Sequence, residues 1–250
     1  MAAALSVVVL HDRGDPSAAW LQHGLAARGV PVLGVTGDDL VGAPRFGHGV
    51  GGGPPRLRVR LRDGRGFTHR SVAAVVNRLT HLPPPGEGRT SDADRQYAHD
   101  ELTAIALSWL SALATTVPFV GRPSASWLGG EWRTPAEWAI LAHSAGLSAA
   151  PVDLPSGPGG QDGAPGALSR ALVVADLVWF SGPPPDSSAR DALRAGLVRL
   201  ARLADRETLG VLLDAGGRVV GVDPLPDLRP SGAAGVARLA ELLGRGGGAA

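Results

Sequence analysis

Three small groups of side chains are candidates for chemistry. His11 and Asp12 adjoin at the end of an apolar run, and Asn77-Arg78 ends another. Tyr97 and Glu101 stand four apart, so on a helix they share one face. The third group is scattered: Trp132-Arg133 follows the Gly129-Gly130 pair, and Asp223, Asp227 and Arg229 lie close together near the C-terminus. His11-Asp12 reads as a binding or acid/base pair, or as a turn at a strand end. Asn77, Arg78, Tyr97 and Glu101 read as the lining of a cleft, or as a surface pair beside a polar strand end. Arg133, Arg229, Asp223 and Asp227 read as a gathered polar site, or as a charged rim. His99 and Glu101 are two apart on a helix and point to different faces, and His69, His81 and His143 show no ligand spacing, so no metal site is expected. None of these residues is assigned a catalytic role.

Composition removes several classes of function. The chain has 250 residues with 24 basic side chains against 23 acidic ones, a formal charge of +1. That balance argues against a nucleic-acid stripe or a polybasic membrane tether. All 24 basic residues are arginine and there is no lysine, so any phosphate must be held by arginine or backbone amides. Zero cysteine excludes disulfides, thiolate metal sites and a cysteine nucleophile. The apolar run Ala2–Leu10 lacks a basic flank and leads at once into His11, Asp12 and Arg13, so it reads as a buried strand and not a signal peptide. No stretch is long enough to span a membrane. The expected location is the cytoplasm of a bacterial cell.

The elements that must position these residues follow from periodicity and stop signals. A strand over Leu5–Leu10, a helix opened by Asp15-Pro16-Ser17 and closed by Gly29, and a strand over Val30–Val35 make a β-α-β start with parallel strands. The glycine-rich stretch Phe46–Pro55 reads as a flexible loop. Leu57, Val59 and Leu61 alternate with Arg56, Arg58, Arg60 and Arg62, the period of a half-exposed strand whose arginines face solvent. A strand over Val72–Val76, a helix from about Asp92 to Thr115 and a strand over Val117–Val120 come next. Thr134-Pro135-Ala136-Glu137 is a capping box, and Gly146-Leu147 stops the helix it begins. Beyond Pro155–Gly166, read as a linker, come a hairpin about Ala175-Asp176, a helix over Ser187–Ala204, a hairpin about Asp214–Gly217 and a helix over Ala233–Leu243.

In this order the pieces resemble the ATP-grasp ligases, specifically the branch that modifies peptides and makes graspetide-type natural products. The residues that carry the resemblance are His11–Val32, Val75-Val76-Asn77-Arg78, the helix from Tyr97 through Glu101 to Trp109-Leu110, and Trp127–Leu147 ending in Ala145-Gly146-Leu147. Leu209-Gly210-Val211, the Asp214–Arg218 turn and Gly221-Val222-Asp223-Pro224-Leu225-Pro226-Asp227 complete it, the last similar to the family's E-V-N-P-x-P-D strand. The resemblance implies an α/β architecture: a pre-ATP-grasp-like open parallel sheet in the N-terminal domain (1–125), a connecting helix region (126–154), a Gly/Pro linker (155–168) and a reduced ATP-grasp-like α+β domain (169–244).

The family makes an acyl-phosphate from a carboxylate and ATP, holding phosphates on lysines and Mg²⁺ on acids and an asparagine. Here Pro135 stands at or beside the first lysine position, with Arg133 the nearest cation, and the strand bearing the second lysine is missing from the region of Pro155–Gly166 together with its lid and adenine-binding subdomain. The metal positions carry Leu212, Gly221 and Asp223. The resemblance therefore implies a truncated, catalytically silent relative with no cofactor. Its expected partner is a precursor peptide or a partner biosynthetic enzyme, with a homodimer also open, and its binding cleft is drawn from Asn77, Arg78, Tyr97, Glu101, Trp132, Arg133, Asp223 and Arg229. The alternative is an enzyme whose repurposed cleft modifies a peptide or small molecule without ATP, using Glu101, Tyr97 or His11 as acid/base. Trp109 and Trp138 are expected in the core, and Trp127 and Trp132 on an exposed apolar patch.

Overall fold

The computed structural model describes residues 5–49, 56–86, 91–152, 168–182 and 190–244. Its contacts divide the chain into two units, Met1–Trp132 with Val236–Ala250, and Arg133–Gly235.

The first unit is built on a parallel sheet in the order β2-β1-β6-β7, formed by β1 (Ser6–His11), β2 (Val32–Thr36), β6 (Val72–Arg78) and β7 (Phe119–Val120). Helix α1 (Pro16–Ala26) makes the expected crossover. Asp15 caps it, accepting from the Ser17 and Ala18 amides, while Pro16 fills the first turn where no amide donor is needed. A five-residue helix α2 (Gly37–Val41), opened by a Thr36/Asp39 capping box, was not expected from periodicity because it is too short to show any.

A second, antiparallel sheet in this unit joins β3 (Arg45–Gly49), β4 (Arg56–Arg60) and β5 (Gly66–Thr68). The expectation of a loop from Phe46 is corrected over 46–49: Gly47 and Gly49 supply no side chains, but β4 supplies the paired backbone opposite them. The rest of that loop, residues 50–55, lies outside the described residues, as do residues 155–167 of the expected linker. Leu57, Val59 and Leu61 are buried as the alternation requires, with Arg56, Arg58 and Arg60 outward. The inner face packs on α3 (Asp92–Ala114): Phe46 meets Trp109 edge-on at 5.4 Å between ring centroids, and Phe67 lies 5.9 Å from the same indole.

The second unit is an antiparallel sheet in the order β11-β10-β8-β9, made of β8 (Ser169–Val174), β9 (Leu177–Ser181), β10 (Thr208–Leu213) and β11 (Val219–Asp223). Both hairpins turn where expected, the first through Ala175 at φ +57°. Helices α4 (Pro135–Ser144) and α5 (Arg190–Leu203) cover one face, closing a core of Trp138, Leu197, Leu200, Val173, Leu209 and Leu213. The Thr134/Glu137 capping box forms as the spacing predicts. Helix α6 (Gly232–Gly244) ends the described chain, and no helix among the described residues is long and apolar enough to cross a membrane.

Candidate functional site

Strand alternation splits the second unit's sheet into two chemically different faces. Ala171, Val173, Leu209, Val211, Leu213 and Val219 point into the core under α4 and α5. Their neighbours along each strand must therefore point the other way. On that other face, Asp223, Gly210, Leu172 and Trp179 form one cross-strand row, and Gly221, Leu212, Arg170 and Ser181 form the next. A one-residue bulge places Val220 outside the ladder and sets this register, pairing Leu212 with Gly221 and Leu213 with Val219.

A cavity of ≈ 620 Å³ opens over this face. Its floor is apolar, made by Leu172, Trp179 and Leu212, while Arg170, Asp223 and Asp227 bring charge to it. Asp223 accepts the Leu225 amide through Oδ1, which shapes the turn after β11. Asp227 is held by the guanidinium of Arg229, with Nη2 donating to Oδ2 at 2.8 Å.

The metal-binding part of an ATP-grasp centre does not fit here. Leu212 and Gly221 occupy the positions where the sequence resemblance places two acids, and they are direct cross-strand partners facing the cavity. Neither offers a side-chain oxygen ligand, and of the two carboxylates on the cavity Asp227 is held by Arg229, which leaves too few free oxygens for a strong Mg²⁺ site. Among the described residues no group of three acidic or histidine side chains is arranged to hold a metal. Among the described residues Arg170 is the cation lining the cavity.

The other sequence-derived candidates lie elsewhere. Asn77 is 1% exposed, and its amide is fully engaged: Nδ2 donates to the carbonyls of Gly121 and Leu128 at 3.0 and 2.7 Å, and Oδ1 accepts from the Leu79 amide. Gly121 sits at φ +78°, and a Cβ there would meet the Asn77 carbonyl oxygen at 2.3 Å, so this crossing of backbones requires glycine. Arg78 is buried against Asp15, Nε to Oδ2 at 2.6 Å. Both residues thus brace the strand end from within instead of lining an open cleft. Tyr97 and Glu101 are exposed on α3, joined to neither of them by a hydrogen bond or ion pair. Trp132 is 65% exposed, whereas Arg133 stacks over the Trp138 ring at 5.6 Å and is not part of the cavity wall. Trp109 and Trp138 are in the core as expected.

His11 and Asp12 lie where β1 ends, next to the end of β6, which is the switch point of this sheet. His11 bonds Gln22, and Asp12 accepts the Thr80 amide and hydroxyl. The sequence reasoning missed Arg170, Leu172 and Trp179. The signal was present: the turn at Ala175-Asp176 sets the hairpin register, which puts Leu172 beside Trp179 on the face opposite Ala171 and Val173.

No protein-family model matches the chain, and no curated protein matches it by sequence. Solved structures do match in fold. The macrocyclase MdnB from Microcystis aeruginosa MRC superposes with a TM-score of 0.69 at 14% identity, over 96% of this chain and 99% of its own. The macrocyclase MdnC from the same organism, bound with precursor peptide MdnA, gives 0.71 at 12% identity over the same shares. A Chryseobacterium gregarium RiPP-associated ATP-grasp ligase, in complex with ADP and a leader and core peptide, gives 0.70 at 8% identity, over 94% of this chain and 96% of its own. The chain therefore has the α/β fold of the peptide-modifying ATP-grasp ligases, as the sequence resemblance implied.

Proposed function

We propose that the protein is a catalytically silent, shortened ATP-grasp-like accessory protein in the biosynthesis of a modified peptide, where it binds a precursor peptide or a partner enzyme. One observation carries the loss of catalysis: Leu212 and Gly221 pair across the strands on the cavity face, at the positions of the family's metal-binding acids. The absence of any lysine agrees with it, because the phosphate-holding side chains of the family have no counterpart of that type. Peptide binding is supported by the likeness to MdnC, whose structure holds its precursor peptide, and to the Chryseobacterium gregarium ligase, whose structure holds leader and core peptides. In this reading the internal loss at 155–166 removed the second phosphate-binding strand and its lid.

The test is phosphate release from purified protein with ATP and Mg²⁺, alone and with a synthetic peptide carrying Ser, Lys, Asp and Glu. No release above a heat-treated control is expected. ATP-dependent release that disappears in Asp223→Ala would overturn the reading.

A second reading is favoured by the cavity itself, which keeps a cation, two carboxylates and an indole on one face. It is an enzyme acting on a peptide or small molecule without ATP. Turnover lost in Asp223→Asn or Arg170→Gln, with the fold intact, would select it.

A further inference from the structure

The small sheet of the first unit carries a charged surface that the cavity does not involve. Arg56, Arg58 and Arg60 alternate along β4 on the face turned away from the core. Arg45 on β3 is the direct cross-strand partner of Arg60, so it adds a fourth guanidinium to the same face. Like charges placed opposite each other destabilise a strand pair. Here no ion pair offsets the repulsion among the described residues: none of the four arginines makes one. The remaining positions on this face are Gly47, Gly49 and Gly66, with Thr68 opposite Arg58. All four arginines are exposed over a floor of glycine, and among the described residues no acidic side chain pairs with them. The platform beneath is fixed, because Phe46 and Phe67 anchor the inner face on Trp109.

We infer that this face binds an acidic peptide segment in extended conformation. Residues two apart on a strand repeat every ~6.8 Å, so Arg56, Arg58 and Arg60 span about 14 Å at that interval. An extended peptide with a carboxylate at every second residue repeats at the same interval, and each carboxylate can take a guanidinium fork. Single-stranded nucleic acid fits less well, because this face presents no aromatic side chain for bases to stack on. The net charge of +1 also gives the protein no general attraction for polyanions. The inference deepens the peptide-binding reading by naming the chemistry of the bound segment. It rests on that reading only for the partner being a peptide, and ATP turnover does not bear on it.

The experiment is fluorescence anisotropy of the full-length protein with a labelled Glu-Ser-Glu-Ser-Glu-Ser peptide at low salt. Its controls are the isomer Glu-Glu-Glu-Ser-Ser-Ser and a single-stranded DNA of equal charge. Saturable binding of the alternating peptide is expected, at least threefold tighter than the isomer. Arg58→Glu should weaken it more than tenfold and Arg58→Lys by less than threefold, with both variants retaining the wild-type circular dichroism. Equal binding of the two peptides, tighter binding of the DNA, or an Arg58→Glu variant that is folded and binds as wild type would each overturn it. If Arg58→Glu does not fold, Arg56→Gln and Arg58→Gln, which introduce no negative charge, replace it, and unchanged binding in both would overturn the inference.

Discussion

Leu212 and Gly221 face each other across β10 and β11, on the side of the sheet that α4 and α5 leave uncovered. The pair joins a branched apolar side chain to a position with none, on a face that also bears Asp223. A Cβ built on Gly221 would approach Leu212 no closer than 3.7 Å, which is ordinary van der Waals contact. Steric crowding therefore does not forbid a side chain at 221.

That room makes the proposed loss of metal binding testable by gain of function. The wild-type protein is expected to show no saturable Mn²⁺ binding below millimolar concentration by calorimetry. The double variant Leu212→Asp, Gly221→Glu supplies two further carboxylates beside Asp223 and is expected to bind Mn²⁺ at least tenfold more tightly. Equal, tight binding by both proteins would show that the cavity uses other ligands.

Asn77 is predicted to matter for stability and not for ligand binding. Asn77→Ala strands the carbonyls of Gly121 and Leu128 and the Leu79 amide in a buried site. Each unsatisfied buried group costs about 1–3 kcal/mol, so a loss of roughly 3 kcal/mol is expected in urea unfolding. Asn77→Asp, which removes the donor while keeping the acceptor, should be no better. A change below 0.5 kcal/mol would contradict the bracing role.

Most of the architecture is legible in the sequence because its signals are local. The Asp15 and Thr134 caps, the Asp214–Gly217 turn and the arginine alternation on β4 each act within a few residues, and each forms as expected. Strand β3 is not legible, since its glycines carry no pattern and its stability comes from β4. The site is only half legible. Leu212, Gly221 and Asp223 are readable one by one, but their common face depends on the bulge at Val220, which no sequence period announces. Asn77 and Arg78 mislead for a related reason: a polar strand end looks the same in sequence whether it meets solvent or, as here, Gly121 and Asp15.

The Arg78–Asp15 pair couples β6 to the start of α1, and Asp15 also caps that helix. Removing one partner of a buried pair leaves an uncompensated charge, at a cost of about 3–5 kcal/mol. Arg78→Met is therefore expected to destabilise by that order. The double variant Arg78→Met, Asp15→Asn should recover part of the loss, because no charge is left buried while the Asn side chain can still cap α1. A double-mutant cycle by chemical denaturation reads the coupling, and strict additivity would show that the two side chains act independently.

Asp214 is a carboxylate of the second unit whose contribution to stability depends on pH. The Arg218 amide and guanidinium donate to its carboxylate, at 2.9 and 2.7 Å, and hold it below the usual carboxylate range. A depressed pKa in the folded state means that the carboxylate contributes stability above the unfolded value of about 3.9, and that this contribution is lost as pH falls through the folded value. Asp214→Asn keeps an acceptor for the Gly216 and Arg218 amides but removes the charge. The variant is thus expected to melt below wild type at pH 7, with the gap closing as pH is lowered toward 3. Thermal melts of both proteins across that range decide it, and a gap that is constant or widens toward acid would show that the charge of Asp214 does not stabilise the β10–β11 turn.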